Sequence, residues 1–308
     1  MLKNVLETNK YKFGNRDDKY HEEYQYLNLL SDILKEGTNE KGRNGITKCV
    51  YGAAMHFSLE NGKIPILTTK KTSWKTCLKE LLWFVNGKTD NKLLNEQNVH
   101  IWDGNSTKEY MKTRGLNYEE GDLGPIYGFQ WRHFNASYEG CAANYKDKGI
   151  DQLQNVIDCL KDPKQRSSRR LIVSAWNPCQ VDEGALPSCH NFFQFNVVSG
   201  NKLSCSMYQR SNDCILGVPF NIASYSFLTH LIAKHCGLEA YEFIHFMGNS
   251  HIYENAIDAA KLQITREPYP FPTVSIKEVR ENINDYQVED FEINNYKSHD
   301  AIKVAMVA

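Results

Sequence analysis

The sequence predicts an α+β fold in a single domain, a mixed β-sheet with helices packed around it, and three observations carry that expectation. Segments of helical period and short runs of strand formers both occur, without the regular alternation of a doubly wound sheet. Residues 192–199 and 203–210 flank Gly200-Asn201, a dipeptide suited to a two-residue hairpin turn with glycine first, so the sheet is at least partly antiparallel. Across 308 residues there is no internal repeat, no low-complexity linker and no composition shift that marks a domain boundary.

Taken in order, residues 1–18 are polar and aperiodic and read as a leader, with residues 19–308 as the domain proper. From Tyr24, the apolar residues Leu27, Leu30, Ile33 and Leu34 recur at helical spacing, and Gly37 follows as a stop. TSWKTCLKELLWFVNG predicts a second helix, with Trp74, Leu78, Leu81, Leu82 and Val85 on one face and Gly87 at its end. Glu80 stands among those apolar neighbours; an acid there belongs to the polar face or, if buried, has a raised pKa. IDQLQNVIDCL is amphipathic and is soon followed by Pro163, and LIVSAW is rich in strand formers. NIASYSFLTHLIAKHCG predicts a long buried helix opening at Asn221, FIHFMGNSHIY a strand, and NAIDAAKLQITRE a further helix.

Composition narrows the function classes. A chain with 41% apolar and 24% charged residues can build a sizeable core, and a net charge of −1 argues against a nucleic-acid coat or an anionic membrane surface as main partner. Any anion site must be local. Nine cysteines without a CxxC pair fit neither a disulfide framework nor a zinc ribbon. The N-terminus lacks the apolar core of a signal peptide, and no window approaches the ~20 apolar residues of a membrane span. A soluble, cytoplasmic protein with reduced thiols is the expectation. GxGxxG after a strand, the Walker loop, HExxH and GxSxG are all absent.

What remains is a set of polar clusters. In ALPSCHNFFQF, Cys189 lies at the mouth of an apolar run, where a free cysteine is ordinarily a small core filler. RSSRR at 166–170 could fork guanidinium groups onto phosphate oxygens, or form a solvated basic loop. Arg210, Ser211 and Asp213 in YQRSND make either a ligand shelf at a strand end or a turn with a surface ion pair. Asn221 is either a helix N-cap or a reader of a base edge. His251 and Tyr253 share one side of a strand, which cross-strand packing also explains. The remaining histidines do not fall at metal-ligand intervals, so no metal is expected.

In this order the clusters resemble the thymidylate synthase family, from about Tyr24 to the C-terminus. ILTTKKTSWK, KELLWFVNG, IWDGN, GDLGPIYGFQWRHF, SRRLIVSAWNP, ALPSCHNFFQF, YQRSNDCILGVPFNIASY and HIYEN carry the likeness. The resemblance implies a methyltransferase in which Cys189 adds to C6 of the uracil ring of dUMP, with Arg210 close to the thiol. It implies that Asn221 reads the O4 and N3 edge, that Arg43, Arg169, Arg170, Arg210 and Ser211 hold the phosphate, and that His251 and Tyr253 hold the deoxyribose hydroxyl. Arg169 and Arg170 would reach across from a partner subunit, making the protein a homodimer. The activated C5 would attack the one-carbon unit of 5,10-methylenetetrahydrofolate, and hydride transfer from the same folate would yield dTMP and dihydrofolate. Glu80 would organise proton transfers and Tyr127 would lie near the C5 proton. Folate contacts implied are Ile101, Trp102, Asn105, Asp213, Leu216, Gly217, Phe220 and Tyr253, with Lys70 near the glutamate tail. Neither a membrane nor nucleic acid is required.

The chain departs from the family pattern in several places. GRNGITKCVYG around Arg43 is one residue shorter, Asn249 stands where aspartate is customary, Ala256 where histidine is, and Ser188 where proline is common. The chain ends Met306-Val307-Ala308, where the family normally ends methionine-alanine-valine. The nearest alternative reading is a pyrimidine hydroxymethylase; Asn221 argues for uracil, and Trp102, as a screen against water, for reduction. A catalytically silent nucleotide- or RNA-binding paralogue is the other, disfavoured by Cys189, Glu80, Asn221 and Tyr253 occurring together.

Overall fold

The computed structural model describes residues 21–42 and 44–307. The expected leader and Arg43 therefore lie outside the described residues. A six-stranded mixed sheet forms the centre, in the order β1-β2-β6-β5-β4-β3. Its strands are β1 (Thr38–Gly42), β2 (Gly45–Ser58), β3 (Ile172–Ser174), β4 (His190–Val198), β5 (Lys202–Asp213) and β6 (Glu239–Tyr253). Every pairing is antiparallel except β5 with β6. Parallel neighbours need a long crossover, and here it is a 19-residue helix, Gly217–His235. A small antiparallel pair, β7 (Thr273–Ile276) and β8 (Phe291–Asn294), stands apart from the main sheet.

The helices that matter to the site are α1 (Tyr24–Glu36), α2 (Trp74–Val85), α3 (Tyr127–His133), α4 (Gln152–Lys161) and the crossover α5 (Gly217–His235). The predicted face of α2 packs inward as expected, with Leu78, Leu81, Leu82 and Val85 all buried. It ends in a Schellman motif, in which Gly87 N–H donates to Phe84 O at 2.9 Å and Lys88 N–H to Trp83 O at 3.1 Å, and Gly87 takes a φ of 66°. Gly37 ends α1 for another reason. Its φ is −65°, but a Cβ there would sit 2.5 Å from Ile33 O, so the chain needs a residue without one. Helix α5 is buried on nearly every side and fills the middle of the core, with its few polar side chains, Asn221 and His230 among them, enclosed as well.

Three local expectations are corrected. The β4–β5 hairpin pairs Val198 with Lys202, so its loop has three residues rather than two, and Ser199 (φ 50°) and Gly200 (φ 85°) supply the reversed twist. Helix α5 opens at Gly217, four residues before Asn221, because Asp213 Oδ1 already accepts from Ile215 N–H (2.9 Å) and Leu216 N–H (3.1 Å) and turns the chain there. Asn221 is therefore inside the helix and is not its N-cap. Of LIVSAW only Ile172–Ser174 is strand.

One face of the sheet carries the helices. On the other, Phe192 and Tyr208 stack across the β4–β5 pair with centroids 5.9 Å apart, and Ile172 pairs with Gln194 on the same side. Ile172, Phe192 and Tyr208 are 43%, 41% and 38% exposed, so this face presents three large apolar side chains to solvent beside the polar Gln194.

Candidate active site

The site forms where β4 and β5 meet the first turns of α3 and α5. Cys189 is the residue before β4, next to a register shift between His190 and Phe192. Such bulges re-aim side chains at strand ends. Its backbone N–H donates to the Tyr127 hydroxyl at 2.8 Å, and the residue is half-buried. Tyr127 is held at the start of α3 by close helix packing: a Cβ on Gly128 would lie 2.6 Å from Phe84 O, so glycine there lets α3 sit directly on α2. Gly124, at φ 73°, makes the preceding turn against Glu183 O.

Arg210 of β5 binds this mouth from the other side. Its Nε donates to Ser188 O at 3.0 Å, its Nη2 to Pro187 O at 2.8 Å, and Nη2 lies 3.7 Å from the Cys189 sulfur. Its guanidinium also lies over Trp176, 5.6 Å from the ring centroid. Burial raises the thiol pKa above its ordinary value, while the Arg210 charge and the Tyr127 hydroxyl pull it back. Burial is the larger effect, so the bare protein keeps the sulfur mainly as thiol. Proximity of a guanidinium predicts a larger thiolate fraction; the enclosed setting of the sulfur reverses the net direction.

Glu80 projects from α2 toward the same mouth and accepts from Trp102 Nε1–H at 2.7 Å. Enclosure of its carboxyl pushes the pKa up to about 7, and the indole hydrogen bond opposes this. A carboxyl so poised can both give and take a proton near neutrality. Trp102 meets Tyr127 edge-on, with centroids 6.1 Å apart, which joins the Glu80 wall to the Cys189 wall.

Asn221 lies on α5, and Gln209 Nε2 donates to its Oδ1 at 2.9 Å. Ser211 and Asp213 follow Arg210 along β5, and Asp213 is the Cα partner of His251 on β6. His251 faces Asn249 Oδ1 through Nδ1 at 2.9 Å and meets the Tyr253 ring edge-on at 5.2 Å. Burial lowers the His251 pKa, with Asp213 opposing. The customary aspartate is thus replaced by an amide that still reaches the imidazole. Lys70 is turned inward: its ammonium donates to Ile215 O, and burial lowers its pKa to about 8. The TTK segment that carries it is pinned by the buried Glu23 carboxylate, which accepts from the backbone N–H and hydroxyl groups of both Thr68 and Thr69. Asn105 is buried, while Ile101, Leu216, Gly217 and Phe220 are half-buried.

Not every expected residue comes to this place. Arg169 and Arg170 sit on an exposed turn before β3, and their guanidinium groups make no hydrogen bond or ion pair among the described residues. The sequence reading missed Gln209 and His245, the latter donating toward Gln209 Oε1 at 3.0 Å from the middle of β6. A signal was present: Gln209 continues the inward phase of Leu203, Cys205 and Met207 along β5, where a polar residue needs a partner. Among the described residues no group of three or more His, Cys, Asp or Glu is placed to hold a metal ion, and no helix is long and apolar enough to cross a membrane.

The chain is similar to known proteins over most of its length. The chain is 48% identical over 291 residues to a bifunctional dihydrofolate reductase-thymidylate synthase of Paramecium tetraurelia, covering 94% of this chain and 62% of that protein. It is 50% identical over 293 residues to the Plasmodium berghei (strain Anka) protein of the same name, covering 94% and 49%. The thymidylate synthase 1/2 of Encephalitozoon cuniculi (strain GB-M1) is 49% identical over 294 residues, covering 94% and 99%. The chain thus spans roughly half to three-fifths of the bifunctional relatives and nearly all of the last. The thymidylate synthase family model matches residues 24–308, which include the thiol, its arginine, the enclosed carboxyl and the helix that carries Asn221, and the chain belongs to that family.

Proposed function

We propose that this protein is a thymidylate synthase, converting dUMP to dTMP by reductive methylation at C5 and releasing dihydrofolate. The observation that carries the reading is the thiol of Cys189 at a half-buried strand mouth, 3.7 Å from the Arg210 guanidinium. A nucleotide phosphate on Arg210, Ser211 and Arg43 would bring the C6 carbon to the sulfur. The thiol gives up its proton to solvent as the S–C6 bond forms and the C5–C6 π electrons move toward C5 and O4, and that bond breaks again when hydride reaches the exocyclic carbon and the C5–C6 double bond re-forms. Fixed donors aimed at O4 stabilise that charge, a task suited to the Asn221 amide. 5,10-Methylenetetrahydrofolate supplies both the one-carbon unit and the hydride. Its pterin fits the walls of Ile101, Trp102, Leu216 and Phe220 and the carboxylate of Asp213, with Gly217, Asn105 and Tyr253 around it, and Lys70, whose ammonium the bare chain turns inward to Ile215 O, is assigned to the glutamate tail. Glu80 relays protons at O4 and the folate, and Tyr127, over the thiol, faces the C5 proton. His251 and Tyr253 take the sugar hydroxyl.

The functional unit is proposed as residues 19–308, supported by the family match over 24–308. It is proposed to be a homodimer formed through the open face bearing Ile172, Phe192 and Tyr208, which would let Arg169 and Arg170 reach the partner's phosphate site. A cytoplasmic setting accompanies this, supported by nine free thiols. Mixing the protein with dUMP and methylenetetrahydrofolate tests the assignment: dTMP and dihydrofolate should appear in equal amounts. Hydroxymethylated nucleotide without dihydrofolate would replace this reading with the hydroxymethylase one.

A further inference from the structure

We infer that His245 is a specificity-determining positioning residue, which acts through Gln209 to fix the donor and acceptor order of the Asn221 amide and so selects uracil over cytosine. The inference rests on the reading of Asn221 as the group that faces the pyrimidine edge. All three residues are buried, His245 being 0%, Gln209 3% and Asn221, at the pocket end, 8% exposed.

The polarity of the chain can be worked out from its fixed end. Gln209 lies 3.0 Å from Ser211 O, a backbone carbonyl that can only accept, so the Gln209 atom facing it is the amide nitrogen. That nitrogen donates its second proton to Asn221 Oδ1 at 2.9 Å. Gln209 Oε1 is then left for His245 Nε2, 3.0 Å away, which must carry a proton. Burial, helped by the nearby His190, lowers the His245 pKa to about 3, so the ring is neutral and has one proton only. With that proton on Nε2, Nδ1 is a bare acceptor, and it has no hydrogen-bond partner among the described residues. An unpaired buried acceptor is tolerated better than an unpaired buried N–H. The imidazole therefore has a strong preference for the tautomer that donates to Gln209.

The consequence reaches the base. Because Asn221 Oδ1 is already turned to receive a proton from Gln209, its Nδ2 is presented as a donor, with one oxygen lone pair beside it. Uracil offers an acceptor at O4 and a donor at N3, which this order matches; cytosine offers a donor at N4 and an acceptor at N3, which needs the amide reversed. Reversal would set Asn221 Nδ2 against Gln209 Nε2, donor to donor. Turning Gln209 to relieve that would face its oxygen to Ser211 O and its NH2 to the His245 N–H. The pocket thus resists cytosine three bonds away from the base.

The test compares the parent protein with His245→Leu, which lacks a donor, and His245→Gln, whose amide nitrogen reaches about as far as Nε2. The ratio of dUMP to dCMP affinity is measured by competition, alongside dUMP turnover and the KM for folate. We expect His245→Leu to lose roughly tenfold in that ratio, through nucleotide KM with folate KM unchanged, and His245→Gln to recover most of it. A folded His245→Leu protein that discriminates like the parent overturns the inference. Should that variant not fold, the imidazole 15N shifts of the parent decide: a neutral ring protonated at Nε2 supports the inference, and a proton on Nδ1 or on both nitrogens overturns it. Absence of dUMP turnover in the parent itself overturns the reading of the site, a distinct result.

Discussion

Two thiols of the same hairpin make an instructive pair. Cys205, in the middle of β5, is fully buried, and burial raises its pKa to about 12 with only a hydrogen bond from Thr229 opposing. Cys189, at the mouth of β4, is also pushed upward by burial, but Arg210 and Tyr127 pull it back and the residue is only half-buried. Residue type is the same and so is the sheet. The difference lies in position: mid-strand sulfur meets only side chains of the core, whereas a bulged strand end meets a guanidinium and a hydroxyl. Reactivity belongs to the strand end.

The comparison breaks outright if Cys189→Ala still makes dTMP; we expect a fall on the order of 10⁴-fold or more, with nucleotide binding by calorimetry largely kept. Arg210→Ala comes next, with an expected loss of about 10³-fold in kcat/KM and a higher apparent pKa for alkylation of Cys189 by iodoacetamide; an unchanged alkylation profile would remove Arg210 from the account. Glu80→Gln should cost about 10²-fold in kcat and erase an inflection near pH 7 in the rate profile. The sign for stability follows from the raised pKa: between the ordinary value of 4.5 and about 7 the folded state holds the Glu80 proton more tightly than the unfolded chain, so stability from this group falls as pH rises through that window. Urea titrations should therefore find Glu80→Gln more stable than the parent at pH 8, with the gap closing toward pH 4. Cys205→Ala sharpens the contrast from the other side, with activity within about twofold of the parent and a stability loss of about 1–2 kcal/mol by urea unfolding.

Much of this was legible in the chain because it depends on local pattern. The period of Leu78, Leu81, Leu82 and Val85 and the closing Gly87 define α2, and the apolar run after Asn221 defines the core of α5. The start of α5 was not, since it depends on Asp213 accepting two backbone N–H groups, a tertiary detail that no propensity records. The extra hairpin residue escaped for a similar reason: Ser199 adopts a positive φ that its side chain does not advertise. Within the site, Cys189, Arg210 and Asn221 stand out through resemblance, and the structure brings their segments together. Gln209 and His245 do not, because a buried amide–imidazole contact joins β5 to β6 across 36 residues of sequence. The direction of the thiol pKa was also beyond the sequence, which shows a neighbouring arginine but not how tightly the sulfur is enclosed.

The most direct test of the central claim is peptide mapping by mass spectrometry after mixing the protein with 5-fluoro-dUMP and methylenetetrahydrofolate. The account predicts one covalent nucleotide and one folate per site, both on the peptide that carries Cys189. No adduct, or an adduct on another cysteine, would contradict it.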